Sequence, residues 1–337
     1  MDNSNKIVPP HLNAEIYRTD TTGTSTLSYL DYIRIHSDGS VLVGSSELTG
    51  RYWNGGANIY NNIVEAQTVQ TEKLCIPLTS GTSDGCFVES SNKVLLCEDS
   101  GAFSIWSQND HQNAWRQWVE QLSVAEHDDM VLGVDCLDPG HHYVTIGADG
   151  NAKVWDLNDL ICVRNYAVAH SLMIYGVAVK PQSNTCFVTG SMDQCVTLWD
   201  ENVEKPQLDV MKNDCGIRCL AWADENRLLV GDEAGIVHLV DVRNPETNVK
   251  VAEFPAAVHK LAVHPQSDKV AICCDNKIVS VCDISQDIST SIIYNDAHDI
   301  HRHTNYVRGL AWDVNIKKTL HTVSWNGEIK SHNLVWD

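Results

Sequence analysis

The sequence predicts an all-β fold, a closed ring of seven four-stranded blades forming one domain, and three observations predict it. First, the chain writes nearly the same stretch twice. YVTIGADGNAKVWDL stands at 143–157 and FVTGSMDQCVTLWDE at 187–201, 44 residues apart. Second, the position held by Trp in that stretch recurs along the chain. It falls at Trp53, Trp106, Trp155, Trp199, Val240, Cys282 and His332, with spacings of 53, 49, 44, 41, 42 and 50 residues. A period of about 40–45 residues with a Trp-Asp signature marks WD-repeat propeller blades. Seven anchors imply seven blades. Third, Val, Ile, Thr, Trp and Tyr runs alternate with tight turns such as Asp-Gly, and no sustained helical period appears.

Within the third unit, VLGVDCL at 131–137 reads as the first strand, YVTIG as the second and AKVWDL as the third. AWRQWVEQL at 114–122 is the one locally helical-looking piece, and it reads as an extension of an outer strand or loop of blade two. The final strand signal, EIKSHNL at 328–334, is the third strand of blade seven, which leaves that blade short of its outer strand. HLNAEIYRTD at 11–20 is the expected donor, so residues 1–27 are read as an arm containing the closing strand and 28–337 as the propeller. Such closure removes a sheet edge that could pair with other chains.

The residue types that recur have a physical reason. In the two fullest units a His lies 22–23 residues before the turn Asp, a Thr four before it and a Trp six after it. These are His127, Thr145, Asp149 and Trp155 in blade three, and His170, Thr189, Asp193 and Trp199 in blade four. Each set is expected to form a buried hydrogen-bonded chain that fixes one geometry. On paper it resembles a catalytic triad. It is read as structural because it belongs to the repeat, whereas a hydrolase needs one site. Blade five carries Val230, Ala234 and Val240 in those slots and blade six Ile272, Asn276 and Cys282, so packing is expected to replace hydrogen bonding there. Blade seven keeps His303, Thr322 and Asn326 with His332 in the Trp slot.

Charge and composition narrow the function. The 337 residues include 24 Lys+Arg and 44 Asp+Glu, a formal net charge of −20. Such a surface repels nucleic-acid phosphates and anionic lipid and favours basic partners. No apolar run reaches the roughly 18 residues of a membrane span, and MDNSNKIVPPHLNAE lacks the pattern of a secretory signal. The 12 cysteines are scattered without a CxxC pair and read as small buried hydrophobes in a reducing, cytoplasmic setting; a nuclear pool would arrive with a partner. There is no phosphate-binding glycine loop. His298, His301 and His303 in DAHDIHRH at 296–303 read as loop residues rather than metal ligands. No catalytic residue, cofactor or metal is expected, and no inward cluster of charged residues is legible.

What remains is surface. TGRYWNGG at 49–56 groups Arg51, Tyr52 and Trp53, residue types that dominate interface hot spots. Tyr306 and Trp325 lie on turns of blade seven, with Trp325 expected to be exposed. Blades one and seven are neighbours in a closed ring, so a shared contact patch is expected. Glu126, Asp128 and Asp129 in EHDD offer an acidic face for basic tails.

SDGSVLVGSSELTGRYW at 37–53, VQTE at 69–72, EHDDMV at 126–131, GDEAGIVHLVD at 231–241, HTNYVRGLAW at 303–312 and TVSWNG at 322–327 resemble the methylosome WD-repeat subunit family, which includes the germline Valois type. The resemblance runs from about residue 30 to about 335. It implies a non-catalytic partner of a type II protein arginine methyltransferase, docked on that enzyme's N-terminal barrel domain in an assembly with four copies of each chain. It further implies help in presenting Arg-rich substrates such as histone tails and Sm proteins for symmetric dimethylation. The family's docking Arg and Trp match Arg51 and Trp53, and Tyr306 would be an added aromatic contact. The chain departs from the family in FPAAVHKL, where no structural His precedes Val258, and in NDHQNAWRQW at 109–118. Two other readings compete: a WD-repeat adaptor for ubiquitin ligation or chromatin assembly, which would bind through the central channel, and a propeller enzyme.

Overall fold

A computed structural model describes residues 29–48, 53–68, 74–109, 117–284, 291–296 and 302–336. The expected arm, residues 1–27, lies outside them. So do Arg51, Tyr52, His298, His301 and most of the 109–118 insertion.

The described chain forms seven antiparallel sheets in which sequence neighbours pair. Blade one holds β1 (Tyr29–Ile35), β2 (Val41–Leu48), β3 (Trp53–Tyr60) and β4 (Ile76–Leu78), with a short helix α1 (Ile63–Thr68) before β4. Blade two holds β5 (Thr82–Val88), β6 (Ser90–Glu98), β7 (Ala102–Asn109) and β8 (Gln117–Ala125); blade three holds β9 (Val131–Asp138), β10 (His142–Gly147), β11 (Ala152–Asp156) and β12 (Ile161–Tyr166). Blade four follows with β13 (Ile174–Val179), β14 (Cys186–Ser191), β15 (Cys195–Asp200) and β16 (Leu208–Lys212). Blade five has β17 (Ile217–Trp222), β18 (Arg227–Asp232), β19 (Ile236–Asp241) and β20 (Asn248–Glu253). Blade six has β21 (Val258–Val263), β22 (Lys269–Cys274), β23 (Val279–Asp283) and β24 (Ser291–Asn295). Blade seven shows three strands among the described residues, β25 (Val307–Trp312), β26 (Thr319–Ser324) and β27 (Ile329–Asn333).

A blade cannot bury its own two faces, so the apolar residues of each pair with those of the next. Seven clusters result, one per blade-to-blade junction. Phe103 and Ile105 of blade two meet Val131, Tyr143 and Trp155 of blade three. Phe103 meets Trp155 edge-on, with ring centres 4.4 Å apart, the arrangement the ring quadrupoles favour. The seventh cluster joins Val323 of blade seven to Ile33 and Val43 of blade one and closes the ring. Helix α1 reinforces that junction: Gln67 donates to Ile329 O at 3.3 Å and to Ser331 Oγ at 2.8 Å on β27.

AWRQWVEQL, in its described part, is indeed strand: Trp118 on β8 is buried against Leu42, Ile76 and Leu96 at the junction of blades one and two. The twelve cysteines are free thiols, five of them buried.

Register also corrects one anchor. In blade three Tyr143 pairs with Trp155, and the matching pair in blade one is Val41 with Tyr60. Tyr60, buried, and Asn61 therefore occupy the Trp-Asp slot, not Trp53. The reason is an elongated hairpin. Blade three turns after Ile146 pairs with Ala152, but β2 and β3 continue for four further pairs, from Ser45–Gly56 to Leu48–Trp53. At ~3.3 Å per residue this adds about 13 Å of ladder. Gly56 permits it: its φ is +155°, and a Cβ there would lie 2.1 Å from Ile76 O.

Candidate functional site: the loop face and the central channel

In each blade the second-to-third-strand turn and the loop entering the next blade lie at the same end, because the four strands alternate in direction. Among the described residues, this loop face carries the strand position of Trp53 together with Tyr306, Trp325, Glu126, Asp128 and Asp129.

The two polar networks lie beneath it. In blade three Trp155 Nε1–H donates to Thr145 Oγ1 at 2.8 Å, Thr145 Oγ1 is 2.9 Å from His127 Nε2, and His127 Nδ1 is 3.0 Å from Asp149 Oδ2. One proton arrangement satisfies every group: His127 Nδ1–H donates to the carboxylate and Nε2 accepts from the Thr hydroxyl. Blade four repeats this, with Trp199 to Thr189 at 2.8 Å, Thr189 to His170 at 2.7 Å and His170 to Asp193 at 3.0 Å. Burial pushes both imidazoles below their usual range. Backbone hydrogen bonds from Asp128 and Asn151, together with His127, hold Asp149 below the usual carboxylate range. In both sets the Thr hydroxyl and both imidazole nitrogens are engaged within the network.

The remaining blades vary the theme. Blade two moves the hydroxyl to β7: Trp106 Nε1 donates to Ser104 Oγ at 2.9 Å, and Ser104 to Glu98 Oε1 at 3.1 Å. Blade five overturns the expectation of packing alone. His238 Nε2 lies 3.0 Å from Asp232 Oδ2, which also accepts from Asn213 Nδ2 at 3.0 Å. Both residues sit at positions outside the repeat's own slots, so the spacing rule misses them. In blade six Ile272 and Cys282 do join an apolar cluster with Leu229 and Val270. Blade seven links His303 Nε2 to Thr322 at 2.7 Å and Thr322 to His332 Nε2 at 3.0 Å. Its turn residue is Asn326, not a carboxylate, and burial drives His303 down to about 4.

Of the expected contact residues, Trp53 is the last paired residue of the long hairpin, so its strand position is at the loop face rather than in the Trp slot. Tyr306 is exposed at 39%. Trp325 departs from the expected exposure. It is half-buried, donates its indole N–H to Asp31 Oδ1 at 2.8 Å, and meets Tyr29 and Tyr306 edge-on at 6.0 and 5.7 Å. The expected pairing of blades one and seven is thus physical: Trp325 of blade seven is bonded to Asp31 of blade one. Glu126, Asp128 and Asp129 are exposed on the loop between β8 and β9, beside the buried His127.

The sequence showed no inward charged cluster, yet the channel holds one. Each innermost strand has a register shift near its start that leaves one residue unpaired. These are Asp31, Ser83, Leu132, Tyr175, Arg218, His259 and Arg308, and all seven line a cavity of about 910 Å³ along the axis. A β-bulge re-aims the extra side chain, here toward the axis. Deeper in, Arg34 Nη2 donates to both carboxylate oxygens of Asp84, at 2.7 and 2.9 Å. Asp31, at the mouth, is raised to about 6 by burial. Among the described residues no group of three His, Cys, Asp or Glu side chains could hold a metal ion.

Comparison with known proteins follows the same lines. The WD domain, G-beta repeat model matches residues 118–156 and 161–200, the two blades with the complete network. The chain is 27% identical over 312 residues to methylosome protein WDR77 of Xenopus laevis, covering 90% of this chain and 88% of that protein. It is 28% identical over 123 residues to protein valois of Drosophila melanogaster, covering 33% of this chain and 34% of that protein. A chain in the crystal structure of the mitotic checkpoint complex superposes with a TM-score of 0.70 at 15% identity, over 92% of this chain and 88% of that one, a likeness of fold alone.

Proposed function

We propose that this chain, a WD-repeat propeller similar to a methylosome protein over nine-tenths of its length, is the non-catalytic scaffold of a type II protein arginine methyltransferase. It docks on the enzyme through the loop face of blades one and seven and gathers Arg-rich substrates, histones and Sm proteins among them, for symmetric dimethylation. The full-length similarity to a methylosome protein carries the reading. The four-pair extension of the β2–β3 hairpin supports the docking site, because it carries the backbone of Trp53 to the end of a stiff ladder. An anchor held on a ladder loses little conformational entropy on binding.

The acidic surface supports the substrate half. Glu126, Asp128 and Asp129 are exposed on the same face, and a negative field raises encounter rates with cationic tails at low salt. The assembly is expected to contain four copies of each chain and to reside in the cytoplasm, with a nuclear pool carried by partners. The test is co-expression with the cognate enzyme, followed by size-exclusion chromatography with light scattering, for wild type and Trp53→Ala. A large mixed complex that weakens in the folded variant is the expected result. A propeller that stays monomeric in the presence of the enzyme would sink the reading.

A further inference from the structure

The cations of the channel are gathered on one side. The inner strands of blades five, six and seven bring Arg218, Lys260 and Arg308 to one arc of the cavity. Asp275 is the acid in contact, 2.6 Å from Arg308 Nη1 and 3.6 Å from Arg218 Nη2. His259 stands between them, its Nδ1 3.0 Å from Arg308 Nη1. Burial and the three cations push its imidazole well below the usual range, so it adds no charge. Within this arc three cations meet one carboxylate, while the other acids of the cavity, Asp31, Asp84, Asp99 and Asp135, come from blades one to three.

Two donors in this arc have no counterpart. Lys260, only partly exposed, makes no ion pair among the described residues. The Arg308 Nε–H is buried without an acceptor. A guanidinium cannot shed its proton to escape, and an unmatched buried donor is destabilising. Nor does Asp31 answer it. The Trp325 ring stands between the two, its face 4.2 Å from the Arg308 guanidinium and its N–H on Asp31. The cavity is far larger than one anion needs, and Val177, Leu220 and Leu261 give it apolar walls.

We propose that this arc binds an oxyanion, a carboxylate or a phosphate, carried by an acidic peptide segment that enters the channel from the loop face. Lys260 and the Arg308 guanidinium face it, Arg218 flanks it, and the apolar walls take the stem of the side chain. The site goes beyond the scaffold reading and is opposite to it in sign: basic substrates meet the acidic rim, and an acidic segment fills the channel.

The experiment is fluorescence anisotropy of labelled eight-residue peptides titrated with the full chain at low salt. One peptide carries glutamates, one phosphoserines and one arginines. Wild type is compared with Lys260→Met and Arg218→Gln, and with Lys317→Met, an exposed lysine between β25 and β26 at the opposite face. Near-UV circular dichroism confirms that each variant is folded. Acidic peptides should bind wild type and lose about tenfold or more in affinity in Lys260→Met, the size of one charge-assisted hydrogen bond. Lys317→Met should bind like wild type. The stronger of the two acidic peptides identifies the oxyanion. Equal binding by wild type and both channel variants, or no preference for acidic over arginine peptides, overturns the proposal. Displacement by inorganic phosphate at the same concentration as the peptide would overturn the peptide as carrier. Enzyme capture by Lys260→Met, measured alongside, should be unchanged, which separates failure here from failure of the scaffold reading.

Discussion

Thr145→Val separates a structural network from a catalytic one. Valine has almost the shape of threonine, so packing is preserved and the hydroxyl alone is lost. That hydroxyl accepts from Trp155 Nε1 at 2.8 Å and donates to His127 Nε2 at 2.9 Å, with Thr145 fully buried. Its removal leaves one buried donor and one buried acceptor facing a methyl group. Each unsatisfied group costs about 1–3 kcal/mol, and the added methyl returns roughly 0.8 kcal/mol. The net loss is therefore about 1–5 kcal/mol. Thr145→Ser keeps both hydrogen bonds and loses one methyl, about 1 kcal/mol. The more hydrophobic variant should be the less stable. Urea unfolding followed by circular dichroism reads this as a larger fall in midpoint for valine at an unchanged slope. If valine proves as stable as serine, the hydrogen-bonded chain is not what secures blade three, and the structural reading of His127, Thr145 and Asp149 fails.

Other perturbations follow from the same geometry. His303, at about 4 against 6.5 for the free imidazole, is depressed in the folded state, so protonation favours the unfolded chain. Its contribution is complete above pH 6.5 and is lost as the pH falls toward 4, about 3 kcal/mol in all; melting temperatures across that window should fall accordingly. Asn326→Asp supplies the carboxylate that blades three and four possess, and an NMR titration should find the His303 imidazole shifted upward. Deleting residues 1–20 should lower the melting temperature, because the sequence reading assigns them the fourth strand of blade seven; an unchanged value refutes the N-terminal closing strand. Reversing Glu126, Asp128 and Asp129 to lysine should slow association with an Arg-rich peptide several-fold at low salt and flatten its salt dependence. An unaltered rate removes those residues from the substrate face.

The blade period and the two full networks were legible because their determinants are local. His127, Thr145, Asp149 and Trp155 span less than one repeat, and strand alternation alone brings them together. The blade-one anchor misled for an equally local reason. A Trp before two glycines looks like a repeat anchor, but a four-pair extension of the hairpin moves it past the slot, and Tyr60 fills it. The His238–Asp232 pair was missed because both residues are displaced from the repeat's own positions. Trp325 read as exposed since it precedes a turn; ring closure, not its local sequence, sets its indole against Asp31.

The sequence by itself determined the number of blades, the strands within them and the repeated buried networks, since these depend on side chains a few positions apart along one ladder. The tertiary structure alone decided what lines the axis. Asp31, Arg218, His259 and Arg308 share no motif and lie one or more repeats apart. They meet because each inner strand carries a bulge near its start, which breaks its two-residue alternation there, and because closure of the ring sets these bulges around one cavity.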